Sequence, residues 1–303
     1  MKDQDIIYHY TSVEAFMSII QSQSLWVSSI TEMNDSQEGK LLPPLIRRAI
    51  ESVHLSAEET IRCMEKYHSK DPLTQHLRVI PNIESNPEFI EGMRDLTKRT
   101  LVELILPSLE IVSNMLLPHI CCFSKNGDKL SQWRAYGDDG KGVALAFSKI
   151  ELEKSIKNKS EFPKYINDVI YNKLDQDEYC AKLIKELIEQ SIFRSKKVDP
   201  VKERFVSSNF FAAPVLFKSE GFSEEDEVRL VYNSNDEMKS KYRTVNGNII
   251  SFYEHVFRPS CLKGIILGPK CNLQTDTLDF KRFLGSGYNH LLQSIKKSEV
   301  SYK

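Results

Sequence analysis

The chain has 303 residues, of which 41% are hydrophobic, with 41 lysines and arginines against 42 aspartates and glutamates. This composition excludes a globally disordered chain, and the net charge of -1 gives no overall basic excess that would indicate nucleic-acid binding. No stretch approaches the roughly 20 apolar residues that a membrane-spanning helix needs, and the first residues contain no apolar signal region. We therefore expect a cytoplasmic protein that does not enter a membrane.

Six cysteines are spread along the chain, and none of them forms a C-x-x-C pair. Structural zinc sites usually need two such pairs at fixed spacing, so we predict no metal site. Cys121 and Cys122 lie in the apolar run ICCF, which is typical of a buried strand. We expect no disulfide framework either.

The first 30 residues have the pattern of a β–α–β unit. Residues 5–10 predict a short strand, and Thr11 to Glu14 predict a capping box with Thr11 as the N-cap. Residues 25–28 predict the next strand, and residues 31–39 predict a polar loop. The helix between the strands gains one apolar face from residues at helical spacing, namely Val13, Phe16, Met17 and Ile20.

Residues 40–117 are predicted to be mostly helical and to form an insertion beside a sheet. Asn86 and Pro87 supply a cap and a first-turn residue for one of its helices. Strands then return at 119–124, 142–147 and 165–171. The second of these is apolar on both faces, which indicates a central position in the sheet.

The last third of the chain starts with helices and becomes rich in strands. Helices are predicted at 174–192 and at 200–212, the second capped by Asp199. Asn246 and Gly247 predict a hairpin turn, because both residue types tolerate positive φ. Strands are predicted at 227–232, 242–245, 248–253 and 263–268, before a terminal helix. We therefore predict one α+β domain over 1–303, with a mixed, mainly antiparallel central sheet and the helical insertion at 40–117.

Two short polar motifs lie near the N-terminus. In the first, strand alternation places Tyr8 and Tyr10 on one face and His9 on the other. His9 is either a ligand-binding group at the edge of the sheet or an imidazole that merely bonds a backbone carbonyl. The second motif is the loop with Asn34, Asp35 and Glu38, which has either a ligand role or ordinary turn chemistry.

A third motif combines aromatic, basic and glycine residues between 131 and 142. Gln132, Trp133, Arg134 and Tyr136 stand close together, with glycines at 137, 140 and 142. Such a loop suits a ligand that carries a ring and a phosphate, because glycine lets the backbone approach and arginine binds phosphate. The alternative is that both aromatic residues pack on the core.

The fourth motif is an acidic and basic run near residue 227. Strand alternation beginning at Glu225 places Glu225, Glu227 and Arg229 on one face, with Lys218 shortly before them. The carboxylates either form a neutralising ladder with the arginine or stabilise a developing positive charge in a reaction.

Together these motifs resemble the bacterial domain of unknown function 2971. Members of that family have a Tyr-x-Tyr strand, an Asn-Asp loop, a Cys-Phe-Ser segment followed by Trp and Tyr, and a Glu-x-Glu-x-Arg strand. There are two departures from the family pattern. Ser36 and Gln37 stand where the family usually has Pro and Phe, and Glu224 stands where an aromatic residue often precedes the Glu-x-Glu. The matching residues are Tyr8, His9, Tyr10, Asn34, Asp35, Glu38, Cys122, Phe123, Ser124, Gln132, Trp133, Tyr136, Gly142, Lys218, Glu225, Glu227, Arg229 and 264–268.

A second resemblance is to the ADP-ribosyltransferase fold. It rests on the His-bearing first strand, the helix after it, the second strand with Trp26 and Ser28, and a late strand with Glu227. This resemblance implies NAD as the substrate, with His9 at the ribose and Glu227 stabilising the oxocarbenium ion, helped by Glu225. Tyr136 or Trp133 would flank the nicotinamide, and Arg229 or Arg134 would bind the pyrophosphate. Further NAD contacts are expected from Tyr10, Thr11, Ser28, Gln132 and Lys218.

The resemblance implies an NAD-consuming enzyme, either an ADP-ribosyltransferase or an NAD glycohydrolase, serving as a toxin or phage-defence effector. Its partners would be a nucleotide and an acceptor macromolecule, either nucleic acid or protein. One alternative is a metal-dependent nuclease or phosphodiesterase that uses Asp35, Glu38, Glu225 and Glu227. The other is a sensor module that binds a nucleotide without reacting.

Overall fold

The computed structural model describes most of the chain. The described residues are 5–30, 40–68, 86–115, 118–156, 164–192, 213–232, 240–245, 247–285 and 287–302. The predicted loop at 31–39 and the predicted helix at 200–212 with its cap Asp199 lie outside them.

The chain divides into two compact units. The first contains Met1–Ser36, Leu117–Val169 and Lys218–Lys303, and the second contains Gln37–Leu116 and Ile170–Phe217. The predictions of a single domain and of an insertion at 40–117 are not tested by this division and stay predictions. A second segment, Ile170–Phe217, belongs to the helical unit, which the sequence pattern did not indicate.

The described part of the second unit is mainly helical. Its described helices are α2 (Leu42–Ser52), α3 (Ala57–Tyr67), α4 (Pro87–Met115) and α7 (Lys173–Ile192). Asn86 Oδ1 accepts a hydrogen bond from Phe89 N at 3.1 Å, so the predicted cap of α4 is confirmed. Arg48 of α2 and Asp177 of α7 form an ion pair at 2.6 Å.

The first unit is built on a ten-stranded sheet. Its strands are β1 (Ile6–Thr11), β2 (Ser24–Ser29), β3 (His119–Ser124), β4 (Val143–Ser148), β5 (Lys164–Asp168), β6 (Glu227–Tyr232), β7 (Lys241–Val245), β8 (Asn248–Val256), β9 (Leu262–Leu267) and β10 (Ile295–Lys297). The strand order is β10-β9-β4-β1-β3-β2-β8-β7, and β6 pairs with both β3 and β5. The β9–β10 pair is parallel and the other ladders are antiparallel. The predicted α+β class with a mixed, mainly antiparallel sheet is confirmed.

Four short helices accompany this sheet, and the first of them differs from the prediction at its start. They are α1 (Val13–Ser22), α5 (Leu130–Ala135), α6 (Lys149–Ser155) and α8 (Leu278–Leu284). Ser12 caps α1 by accepting from Ala15 N at 3.1 Å, while Thr11 ends β1, so the prediction of Thr11 as the cap is wrong. Met17 is 43% exposed and does not belong to the buried face, which contains Phe16, Ile19 and Ile20.

The predicted strands agree well with the observed ones. All six residues of β4 are buried between β1 and β9, as the apolar run predicted. The β7–β8 hairpin is confirmed, and Gly247 at its turn has φ of +83°. β5 ends at Asp168, earlier than predicted, and Ile170 pairs instead with Phe217.

No helix among the described residues is long and apolar enough to cross a membrane.

Candidate functional site

The candidate site begins at a gap along one edge of β3. On this edge β2 pairs with His119 and Ile120, whereas β1 pairs only through Tyr8 and Ser124. Between these contacts, His9 Nδ1 lies 2.9 Å from the carbonyl oxygen of Cys122. The imidazole therefore takes the place of a strand partner, and its Nδ1–H donates to a carbonyl that this edge leaves open.

Burial lowers the pKa of His9, and the hydrogen bond to Cys122 opposes that effect only in part. The imidazole is therefore neutral near pH 7. With the proton on Nδ1, the second nitrogen Nε2 is a hydrogen-bond acceptor. Nε2 has no hydrogen-bond partner among the described residues.

The tyrosine face of β1 is fixed by the α5 segment. Tyr10 packs edge-on against Trp133 at 4.7 Å between ring centroids, and its hydroxyl donates to the Asn126 carbonyl and accepts from Lys129 N. Trp133 is completely buried and donates from Nε1 to Asp128 at 2.7 Å. Trp133 is thus a core residue, which corrects its predicted place beside a nicotinamide ring.

Four charged side chains meet at the start of β6. Arg229 donates from Nε and Nη2 to the two carboxylate oxygens of Glu227, at 2.8 and 2.9 Å. Lys218 Nζ also donates to Glu227, at 3.1 Å, and to the carboxylate of Glu225. The two positive and two negative charges of this cluster cancel. Charged groups are buried at tolerable cost only when they are paired in this way.

Glu225 reaches this cluster from outside the strand. It ends a 3₁₀ turn (Glu220–Glu225), and Asp226 has φ of +45°, so β6 starts only at Glu227. The prediction that strand alternation includes Glu225 is therefore wrong, although its carboxylate still meets the same lysine. Its side chain is 18% exposed and also accepts from the Tyr136 hydroxyl at 3.1 Å.

Burial and pairing set the ionisation of this cluster. Burial favours a higher pKa for Glu227, but Arg229 and Lys218 together outweigh it and hold the pKa below its ordinary value. Burial likewise opposes the charge of Lys218, yet the two carboxylates raise its pKa. Burial and the nearby Glu227 raise the pKa of the Cys122 thiol, so this cysteine stays protonated at neutral pH.

A cavity of about 80 Å³ lies against these groups. Both carboxylates of the cluster line it, whereas Lys218 and Arg229 are not among its lining residues. The lining residues are Tyr8, His9, Tyr10, Cys122, Phe123, Ser124, Gln132, Tyr136, Glu225 and Glu227. The cavity therefore presents hydrogen-bond acceptors and aromatic rings rather than cations.

Gln132 brings an amide to the wall of this cavity. The residue is 5% exposed, and its side chain forms no hydrogen bond with any described residue. Its amide can therefore both donate to and accept from a group in the cavity.

The remaining predicted site residues lie elsewhere or serve other contacts. Arg229 has no exposed surface, so it cannot meet a pyrophosphate, and that predicted role is corrected. Ser28 accepts from Arg243 at 3.0 Å, Thr11 is buried at the end of β1, and Arg134 is exposed on α5. None of these three lines the cavity. Asn34, Asp35 and Glu38 lie outside the described residues.

Four cavity residues were not predicted as site residues, namely Tyr8, Cys122, Phe123 and Ser124. Tyr8 and Ser124 face each other in the one pair that joins β1 to β3, and Cys122 is opposite Arg229. The strand alternation that placed Tyr8 on the same face as Tyr10 could have indicated Tyr8. The residues of β3 could not be predicted in this way, because the local sequence does not show which strands pair with β3.

Within the described ranges, no three His, Cys, Asp or Glu side chains come together in a way that could hold a metal ion. The predicted metal-dependent alternative includes Asp35 and Glu38, so it stays a prediction.

Comparison with known protein families gives a match to the part of the chain that contains several cavity residues. Residues 132–230 match the family described as Protein of unknown function (DUF2971). The DUF2971 segment is about a third of the chain and contains Gln132, Tyr136, Lys218 and the Glu-x-Glu-x-Arg strand, so it supports the predicted family for this part. No curated protein and no solved structure matches the chain. The resemblance to the ADP-ribosyltransferase fold stays a prediction.

Proposed function

We propose that this chain is an NAD-consuming enzyme, of the ADP-ribosyltransferase or NAD glycohydrolase type. The observation that carries the proposal is that His9, from the first strand, and two carboxylates more than 200 residues later line one cavity. The cavity offers an imidazole nitrogen that accepts hydrogen bonds, an amide and two carboxylates. These groups suit the part of NAD that consists of the nicotinamide ring and the ribose attached to it.

The size of the cavity limits which part of NAD it accepts. Ligand pockets for drug-sized molecules usually have 300–1,000 Å³, so about 80 Å³ receives only the ring end of a dinucleotide. The pyridinium ring of NAD is cationic, which suits neighbouring carboxylates and the rings of Tyr8 and Tyr136. Its carboxamide complements the unpartnered Gln132 amide, because two amides can exchange N–H···O bonds.

The proposed reaction breaks the bond between the nicotinamide nitrogen and the ribose carbon. The electron pair leaves with neutral nicotinamide, and positive charge develops on the ribose, as it does in glycoside hydrolysis. Glu225 is the better placed carboxylate to stabilise that charge, because its side chain is 18% exposed against 6% for Glu227, and Glu227 is bound by two cations whereas Glu225 is bound by one. Water or an acceptor nucleophile then bonds to the ribose carbon and loses a proton.

The finer assignments belong to the same proposal. An ADP-ribosyltransferase-like arrangement of the sheet is supported by the His-bearing first strand and the carboxylates at the start of β6. A toxin or defence effector that modifies nucleic acid or protein would be consistent with transfer to a macromolecular acceptor.

The test is to incubate the purified chain with NAD and to quantify free nicotinamide by liquid chromatography. We expect nicotinamide release in proportion to the amount of protein, and measurement of free ADP-ribose separates hydrolysis from transfer. A folded protein that releases no nicotinamide, with or without added nucleic acid or protein acceptors, would overturn the enzymatic proposal.

A second candidate is a nucleotide-binding module without catalysis. The observation that favours it is that both oxygens of Glu227 accept hydrogen bonds from buried cations, which leaves this carboxylate little capacity for a substrate. This candidate predicts that NAD raises the melting temperature of the chain while no nicotinamide appears.

A further inference from the structure

A second and larger cavity lies in the first unit, away from the candidate site. Its volume is about 870 Å³, within the range of pockets that bind nucleotide-sized ligands. It is formed by the end of β8 with the turn that follows, the end of α6 and the start of β5. It shares no lining residue with the smaller cavity.

The charges around this cavity leave it positive. Lys154, Lys164 and Arg258 line it, together with Glu151 and Glu254. Each carboxylate is already paired with a lysine that does not line the cavity, Glu151 with Lys263 and Glu254 with Lys241, both at 2.7 Å. Lys154 and Arg258 form no ion pair with any residue that the structure describes.

The third cation, Lys164, is held at the cavity wall. Its Nζ lies 4.0 Å from the centroid of the Tyr232 ring, a cation–π contact that fixes the ammonium beside the cavity. Lys164 is also opposite Tyr232 in the β5–β6 ladder. This cation is therefore part of the fold rather than a freely moving surface lysine.

The base of the cavity contains a chain of hydrogen bonds among Tyr232, His255 and Ser155. His255 Nδ1 lies 2.7 Å from the Tyr232 hydroxyl, and Nε2 lies 2.8 Å from Ser155 Oγ. Ser155 in turn donates to the Leu152 carbonyl. Only one placement of the hydrogens allows all three of these hydrogen bonds. The Tyr232 hydroxyl donates to Nδ1 of His255, and the Nε2–H of His255 donates to Ser155 Oγ. Because the imidazole then donates to Ser155, it does not activate this serine as a nucleophile, so the cavity is built for binding.

We propose that this cavity binds a phosphate-bearing small molecule of nucleotide size, with Arg258 and Lys154 contacting the phosphates and Lys164 adding positive charge at the cavity wall. Arginine binds phosphate through a planar fork of donors, and lysine adds charge without a directional demand. The remaining volume of the cavity then accepts the ring-bearing part of the ligand. This site is separate from the proposed NAD site.

The test uses isothermal titration calorimetry on the full chain with inorganic pyrophosphate and with ADP. We expect both probes to bind, ADP more tightly, and we expect added salt to weaken both. Arg258→Gln and Lys154→Gln should each raise the Kd roughly tenfold, as loss of a hydrogen bond to a charged group does. Lys297→Gln, an exposed lysine of β10 outside the cavity, is the matched control and should leave the Kd unchanged.

Three results would overturn this proposal. They are absence of binding up to concentrations on the order of 1 mM, an unchanged Kd in the Lys154→Gln/Arg258→Gln double variant, and pyrophosphate binding as tight as ADP binding. Because Arg258 and Lys154 are exposed, these variants should fold normally. Any nicotinamide release should be the same in them as in the unaltered chain, so the two proposed sites can be tested independently.

Discussion

Arg229 and Glu227, two positions apart on one face of β6, form a two-pronged ion pair with distances of 2.8 and 2.9 Å. The arginine has no exposed surface, and the glutamate keeps only a narrow contact with the small cavity. Such a pair holds the end of the strand in place, and it leaves Glu225 as the carboxylate that a ligand reaches more easily.

Replacement of Arg229 should therefore harm the fold. Arg229→Met leaves Glu227 buried without its main partner, and we expect the free energy of unfolding to fall by about 3–5 kcal/mol. Urea denaturation followed by circular dichroism measures this change. The control is Arg62→Met, which removes an exposed ion pair with Glu58 and should change stability by less than about 0.5 kcal/mol. Similar losses in both variants would contradict the structural role of Arg229.

Glu225→Gln should separate catalysis from stability. The substitution keeps the shape of the side chain and its contact with Tyr136 but removes the negative charge, so nicotinamide release should fall by about a hundredfold or more. The melting temperature should fall, because the buried Lys218 loses the charge of one of its two carboxylate partners and keeps only Glu227, so activity is compared at a temperature at which both proteins are folded. Glu224→Gln, at the exposed neighbouring position, should keep full activity. Full activity in Glu225→Gln would remove this carboxylate from the proposed mechanism.

Gln132→Met should affect binding more than stability. The side chain has similar volume and the amide forms no hydrogen bond with any described residue, so the free energy of unfolding should change by less than about 1 kcal/mol. The KM for NAD should rise roughly tenfold, because the amide no longer pairs with the carboxamide. Ser131→Ala, at the exposed preceding position, is the control. An unchanged KM would show that Gln132 does not contact the substrate.

His255 should make the stability of the chain depend on pH in a defined window. Burial, assisted by Lys164, lowers its pKa from 6.5 to about 4. As the pH falls below 6.5, His255 becomes protonated in the unfolded chain but stays neutral in the folded chain. Protonation therefore favours the unfolded chain, and the free energy of unfolding decreases. The loss from this residue amounts to about 3 kcal/mol and is nearly complete at pH 4.

Urea denaturation between about pH 7 and about pH 4 measures that dependence, and the difference between the chain and His255→Gln isolates the contribution of the imidazole. Should this variant fail to fold, the imidazole resonances of the unaltered chain give the answer by NMR. A His255 that titrates near 6.5 would contradict the buried, neutral imidazole.

Local sequence signals were sufficient for most elements of the sheet. The apolar run at 142–147 predicted a central strand because both faces of β4 are covered, and Asn246 with Gly247 predicted the hairpin because the turn needs positive φ. The cap of α1 was misplaced by one residue, from Ser12 to Thr11. Serine and threonine are both good N-cap residues, and the length of β1 decides which of the two caps α1.

The candidate site was harder to predict because its geometry depends on contacts distant in sequence. The pattern grouped Glu225 with Glu227, but it could not reveal that Asp226 turns the chain into a left-handed conformation between them. Trp133 and Arg229 have residue types that suit a ligand, yet their burial follows from packing against Tyr10 and from pairing with Glu227. The cavity brings together residues of the first, third and fourth motifs, and tertiary packing decides which of their side chains remain accessible.

The single backbone pair between β1 and β3 has a mechanical consequence. Moving these strands apart would break the pairing at Tyr8 and Ser124 and the bond from His9 to the Cys122 carbonyl, while the β1–β4 and β3–β6 ladders stay whole. β1 is therefore joined to β3 and to the residues after it by side-chain hydrogen bonds, from His9 to Cys122 and from Tyr10 to Asn126 and Lys129, more than by a backbone ladder. Because His9 bridges this gap, replacing it should weaken the connection between β1 and β3 as well as change the lining of the cavity.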